Sequence, residues 1–347
     1  MKYTGFILLY FLFVSCSEQE EKDVFIPAQF DIDSTSITFN YSLIDVIQYS
    51  DGYLCCVDTH NKDSLSLVYL DRNYEFDSIK SSLLNKDIKF PISEIWTSNG
   101  NLFVLNSRLE ILTFQNEKWL VTEEFQFDTD RKHTYFSYEK HFPIYEDEDY
   151  IVRSCCSGEF GGAVFFTNKK TKKVYSCEAT CLASIEKVKD VYYLASCLPH
   201  GDGRSSIITI DDPSKLFEIK EENQLNDCSW YDIYSEDWDD LSINHPKGFD
   251  NGYKDIIDTI DLLILGMLTY ENHPYFIYSN FDESYIGYLD DNQLKTIDTI
   301  YKKPMWYGAV RDIKHNQNLF AIRNRIMKGM LIIKDNRIKI IEFKNSN

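Results

Sequence analysis

Three features of the sequence predict an all-β fold, a six-bladed β-propeller of four-stranded antiparallel blades. Short runs rich in Tyr, Phe, Val and Ile alternate with polar residues, and dipeptides such as Asp51-Gly52 and Asn99-Gly100 mark hairpin turns between them. The same order of four runs recurs. Its second member begins near Tyr53, Leu102, Tyr150, Tyr192, Tyr275 and Leu319, at spacings of 49, 48, 42, 83 and 44 residues. A period of roughly 40 to 50 residues with four strands per unit is that of a propeller blade. The spacing of 83 hides either an insertion in a six-bladed ring or a degenerate seventh blade. Six is the expectation, because residues 221–261 contain no clear pair of alternating strands. A β-sandwich, or two separate β domains, is the alternative architecture.

Taken in order, the first copy reads LIDVIQYSDG, YLCCVDT, SLSLVYLDRN and YEFDSI, and the second ISEIWTSNG, NLFVLNS, LEILTFQNEK and WLVTEEF. The third is HFPIYEDED, YIVRSCC, GAVFFTNKKT and KKVYSC; the fourth is ASIEKVKD, VYYLASC, SSIITIDDP and KLFEI. After an interruption follow LGMLTYENH, PYFIYSN, SYIGYLDDNQ and LKTIDTI, then AVRDIKHNQ, NLFAIRN, GMLIIKDN and RIKIIEF. Each blade exposes a sheet face that only its neighbours can cover, so the ring must close. Residues 24–31 are the expected strand that completes the last blade and ties the chain ends together. No helix beyond a turn or two is expected, except near residues 256–265.

The amino terminus has its own logic. Lys2 precedes nine apolar residues, from Phe6 to Val14, and then Ser15 and Cys16, the n-region, h-region and small residue of a secretory signal. Nine apolar residues are too few to cross a bilayer, which takes roughly 20. The pentapeptide LFVSC resembles the lipobox of bacterial lipoproteins, although Phe13 stands where Leu is usual. The resemblance implies cleavage after residue 15 and lipidation of Cys16. Residues 16–23 form an acidic tether unable to pack into a core. Such a run is similar to the surface-export signal of lipoproteins in the Bacteroidota. With the repeat, the chain resembles the six-bladed propeller lipoproteins of that phylum, related to TolB-like and NHL-type propellers. The resemblance implies an outer-membrane, cell-surface location and a fold more than a function. Residues 24–347 are then a single propeller domain with an acidic insertion at 221–261.

A formal charge of −19 argues against nucleic acid and anionic membrane surfaces as partners, since both need a basic patch. Contact with the membrane is expected through the lipid alone, and the chain is expected to be a monomer.

In a four-stranded meander, the second-to-third loops and the blade-to-blade connections open on one face. The loop with Glu159 in blade three and the loop with His200 and Asp202 in blade four are both of this kind. The insertion, read as joining blade four to blade five, would open beside them. Arg153, Glu159, His200, Asp202 and Arg204 are therefore candidate binding residues, since glycines around His200 permit close approach and the three side chains near it suit an anion. Trp230 and Trp238 in the insertion suit a carbohydrate or protein surface. Glu236, Asp237, Asp239 and Asp240 offer oxygens to calcium, without the spacing of an EF-hand.

Eight cysteines follow Cys16. Cys177, Cys181, Cys197 and His200 have the spacing of a zinc site, but an oxidising compartment favours disulfides. Cys155, Cys177, Cys181 and Cys197 are the disulfide candidates, with Cys155 and Cys197 at equivalent places in adjacent blades. Vicinal Cys55-Cys56 and Cys155-Cys156 should point to opposite faces. No G-x-S-x-G, P-loop, H-E-x-x-H or G-x-G-x-x-G pattern is present, so no catalytic residue and no cofactor beyond calcium are assigned. The expectation is a non-enzymatic, lipid-anchored propeller that binds an envelope protein or glycan. The alternative is a propeller hydrolase or lyase acting on polysaccharide or peptide through His200.

Overall fold

The computed structural model describes residues 25–58, 65–98, 100–108, 110–124, 144–156, 158, 161–199, 203–219, 252–305, 318–323 and 327–346. Six sheets form a six-bladed β-propeller. Blade one contains β2 (Ser42–Tyr49), β3 (Gly52–Asp58) and β4 (Leu67–Leu70). Blade two is β5 (Ile92–Ser98), β6 (Asn101–Asn106), β7 (Glu110–Gln115) and β8 (Lys118–Glu124). Blade three is β9 (Tyr145–Glu146), β10 (Tyr150–Cys156), β11 (Gly162–Asn168) and β12 (Val174–Glu178), with β16 (Phe217–Ile219) added outside β12. Blade four is β13 (Leu182–Val188), β14 (Val191–Leu198), β15 (Arg204–Ile210) and β17 (Lys254–Ile260). Blade five is β18 (Leu263–Tyr270), β19 (His273–Ser279), β20 (Ser284–Asp290) and β21 (Gln293–Tyr301). Blade six holds β22 (Asn318–Arg323), β23 (Lys328–Lys334) and β24 (Arg337–Lys344), with β1 (Asp31–Thr38) on its outer edge.

Alternation puts one side of each strand into each neighbouring seam. Leu43, Cys55, Leu319, Met330 and Ile341 pack between blades six and one. Ile47, Leu54, Cys56, Ile95, Val104 and Trp119 pack between blades one and two. Vicinal Cys55 and Cys56 thus enter opposite seams, as strand geometry requires. Val152, Phe166, Ile185 and Tyr192 fill the seam of blades three and four, and Ala195, Ile207, Ile264 and Phe276 the next. The first strands of blades one, two, four and five each shift register near their start, at Leu43/Asp45, Ile92/Glu94, Leu182/Ser184 and Ile264/Gly266. A bulge there bends the innermost strand and strengthens its twist.

Several elements depart from the sequence expectation. The run YEFDSI, residues 74–79, does not complete blade one as a strand; Phe76 makes an isolated antiparallel bridge to Leu70, and α1 (Ser78–Asn85) begins at the last two residues of the run. The Asp77 carboxylate accepts from the Lys80 N–H and caps the helix, while Ser81 and Leu84 are turned inward. Residues 256–265 are not helical; they comprise the end of β17, a two-residue link at Asp261 and Leu262, and the start of β18. The run KLFEI does form a strand, β16, yet it pairs antiparallel with β12 of blade three. The fourth strand of blade four is β17, drawn from the end of the expected insertion, and it pairs with β15.

Ring closure also takes a different form. The closing strand is residues 31–38, not 24–31, and it pairs in parallel with β24 along its whole length, Asp31 opposite Arg337 and Thr38 opposite Lys344. Pro27, which has no N–H for a ladder, lies in the segment that precedes it. That segment is a strap across blade five. The Phe25 ring lies 4.2 Å from the His273 ring and tilted to it, the Ala28 N–H donates to the Tyr275 hydroxyl at 3.0 Å, and Phe30 meets Tyr275 edge-on. The run AVRDIKHNQ, expected as the first strand of the sixth copy, lies outside the described residues. No helix among the described residues is long and apolar enough to cross a membrane.

Candidate functional site

Turns between first and second strands, and between third and fourth, open on one rim, here the first rim. Connections between second and third strands, and between blades, open on the second rim. Because the chain between β15 and β17 is a third-to-fourth crossing, the insertion leaves and re-enters at the first rim. Residues 220–251, between those two points, lie outside the described residues. Local alternation in KLFEI hid the crossing, since β16 pairs with the neighbouring blade.

Gly158 and Gly161 between β10 and β11 have φ of +62° and +100°, and Gly203 between β14 and β15 has φ of +72°, conformations that favour glycine. Both loops lie on the second rim in adjacent blades. A disulfide joins Cys156, at the end of β10, to Cys181, in the connection into β13, with a Cα–Cα distance of 4.5 Å. The Cys197 N–H donates to the Cys181 carbonyl at 3.0 Å, and the Ala179 N–H to the Gly162 carbonyl at 3.1 Å. One covalent bond and a backbone ladder thus fix the base of both loops.

The cysteine expectation is corrected in part. Cys181 is bridged, but to Cys156; Cys177 and Cys197 are free thiols. A bridge between Cys155 and Cys197 is absent for a physical reason. Cys197 packs toward blade five, against the cluster that holds Leu263 and Tyr275. Cys155, itself disulfide-bonded, packs with Ala163 and Phe165 on the far side of blade three. Of the four residues with zinc-site spacing, Cys181 is bonded to Cys156 instead, and His200 lies outside the described residues. Burial pushes the Cys177 thiol well above its ordinary value and the Cys197 thiol up to about 11, so neither is a ready thiolate. No group of three potential metal ligands comes together among the described residues.

Arg204 is on the second rim but is engaged. Its guanidinium donates to both oxygens of Asp258, at 2.9 and 2.7 Å, holding that carboxyl below the usual carboxylate range. Arg153 shares strand parity with Cys155, so it projects from the side of blade three turned away from blade four. Glu159, His200, Asp202, Trp230, Trp238, Glu236, Asp237, Asp239, Asp240 and Cys16 lie outside the described residues.

On the first rim, the sequence reading passed over Asp147, in the acidic turn before β10. Its carboxylate accepts from the Tyr192 hydroxyl and from Lys187 Nζ at 3.0 Å, both of blade four, and from the N–H groups of Asp149 and Tyr150 at 2.9 and 2.8 Å. Burial alone would raise this carboxyl; the hydrogen bonds outweigh it and hold the group below its ordinary value. The run EDED ahead of Tyr150, followed by Lys187 and Tyr192 at the matching place one blade on, was the available signal.

No protein-family model matches the chain, and no curated protein matches it in sequence. Similar solved structures include the extracellular domain of a hybrid two-component system from B. thetaiotaomicron, at 13% identity over 92% of this chain and 35% of that one, with a TM-score of 0.40. BamB from Moraxella catarrhalis is similar at 10% identity over 80% of this chain and 68% of that one, TM-score 0.35. The β-propeller domain of the Trilobed protease from Pyrococcus furiosus gives 10% identity, 88% and 86% coverage and a TM-score of 0.39. The assignment of the chain as a six-bladed β-propeller rests on its own six sheets.

Proposed function

We propose that this is a lipid-anchored propeller of the outer membrane, exposed at the cell surface, which binds an envelope protein or glycan without turning it over. The observation that carries the reading is the stapled pair of loops on the second rim. Cys156–Cys181 fixes the bases of two glycine-bearing loops in adjacent blades, and a prepositioned loop surface binds with less loss of conformational freedom. Glu159, His200 and Asp202, in the same two loops, are the polar groups assigned to contact.

The test is photocrosslinking to envelope fractions from the organism that carries the gene. A crosslinking residue in place of Asp202 is expected to give a discrete adduct that the same residue in place of Gln293, on the first rim, does not. The double change Glu159→Ala and His200→Ala should cut capture at least tenfold without altering the melting temperature. Equal adducts from both rims would overturn the assignment of the surface. Turnover of a polysaccharide or peptide, abolished by His200→Ala, would overturn the non-enzymatic reading.

A further inference from the structure

We infer that the first rim is held against the lipid bilayer and that the second rim, with the stapled loops, is the membrane-distal face. The inference rests on the lipid-anchored reading above and adds a fixed orientation to it. Chain entry into the propeller is not loose. Phe25 lies against His273, beside the first-to-second turn of blade five, and against Tyr288, near its third-to-fourth turn. The Ala28 N–H is bonded to the Tyr275 hydroxyl, and the Asp31 N–H to the Asn336 carbonyl in the third-to-fourth turn of blade six. Every one of these anchor points belongs to the first-rim end of blades five and six.

Only residues 17–24 separate Cys16 from this docked strap. Eight residues reach at most about 28 Å fully extended, and their root-mean-square span as a flexible coil is roughly 16 Å. A seven-residue strand such as β20 rises about 23 Å from one rim to the other. For the second rim to touch the bilayer, the tether would have to run down the full height of a blade and end with almost nothing to spare. With the first rim against the bilayer, the tether stays near its relaxed length. Lipid chemistry thus selects one end of the ring, and the opposite end is presented outward.

The orientation is testable with the full lipidated chain in phosphatidylcholine vesicles that carry a small fraction of rhodamine-labelled headgroups. Gln293→Cys at the first rim and Asp282→Cys at the second rim, both exposed and both in blade five, each receive a donor dye. Wild-type chain labelled in parallel corrects for the native thiols. Energy transfer to the headgroups is expected to be at least twofold more efficient from Gln293→Cys. Equal or reversed efficiencies overturn the orientation. Inserting a flexible segment of about 20 residues before Phe25, which widens the tether's span to roughly 29 Å, should bring the two efficiencies together; an unchanged ratio would show that the tether does not set it. Flotation separates the two layers of the argument. If the wild-type chain floats with vesicles and Cys16→Ala does not, anchoring stands and the transfer ratio judges the orientation. If Cys16→Ala floats equally, or neither floats, the anchored reading itself is wrong and the orientation goes with it.

Discussion

Single residues in this ring act mainly across seams between blades. Asp147 is the clearest case, since its side chain is only 14% exposed and bonds to Lys187 of the next blade. Asp147→Asn should lower unfolding free energy by about 1–3 kcal/mol at neutral pH, through weakened hydrogen bonds and an unbalanced lysine. Because the folded carboxyl titrates below the unfolded one, its contribution is complete above about pH 4 and is lost as pH falls through the folded value. Denaturant midpoints for wild type and variant should therefore converge below pH 4. A gap that stays constant would show that the charge is not the cause. Gly266 tests packing alone. A Cβ built there would lie 2.1 Å from the Phe320 ring of blade six, so Gly266→Ala must push blades five and six apart. We expect a loss of about 1–3 kcal/mol, the usual cost of overpacking, read as a lowered melting temperature.

At the scale of elements, local alternation made most strands legible, and what it could not show was partnership. The run KLFEI reads as a strand and is one, but its place outside blade three depends on a crossing that no local pattern marks. β17 was harder to see for the opposite reason. As an edge strand it has only Ile256, Ile257 and Ile260 among polar neighbours, without regular alternation. The helix α1 had a visible signal that the strand-like YEFDSI masked, namely Asp77 as a cap ahead of the inward-facing Ser81 and Leu84. The candidate loops were legible as a pair because propeller topology fixes which loops share a rim. Their staple was not, because eight cysteines allow 105 full pairings. Replacing both Cys156 and Cys181 by Ala removes a closure over a sequence separation of 25 residues, worth roughly 3 kcal/mol in the chain-entropy account. The melting temperature should fall, and capture through Asp202 should weaken along with it. A fall in stability with undiminished capture would separate the staple from the binding surface.

The whole molecule is held by closure. Along each described seam a blade covers its neighbour, so one open seam exposes two apolar sheet faces together. The strap and β1 bear directly on the last seams. Phe30 is 8% exposed within the cluster that joins blades five and six, beside Leu263, Tyr275 and Phe320, and β1 lines the outer edge of β24 over eight residues. Phe39 continues the contact, 4.2 Å from the Phe343 ring, and helps pack blade six against blade one. Deleting residues 25–38 should therefore do more than remove an edge strand. It strips cover from blade five, leaves the β24 edge unpaired and loosens the turn into β2. We expect a lower melting temperature and a broader transition, with hydrogen exchange rising first in β22 to β24 and in blade five. A chain that instead kept one sharp transition, with exchange rising only in β24, would show that the ring closes without its amino-terminal strap.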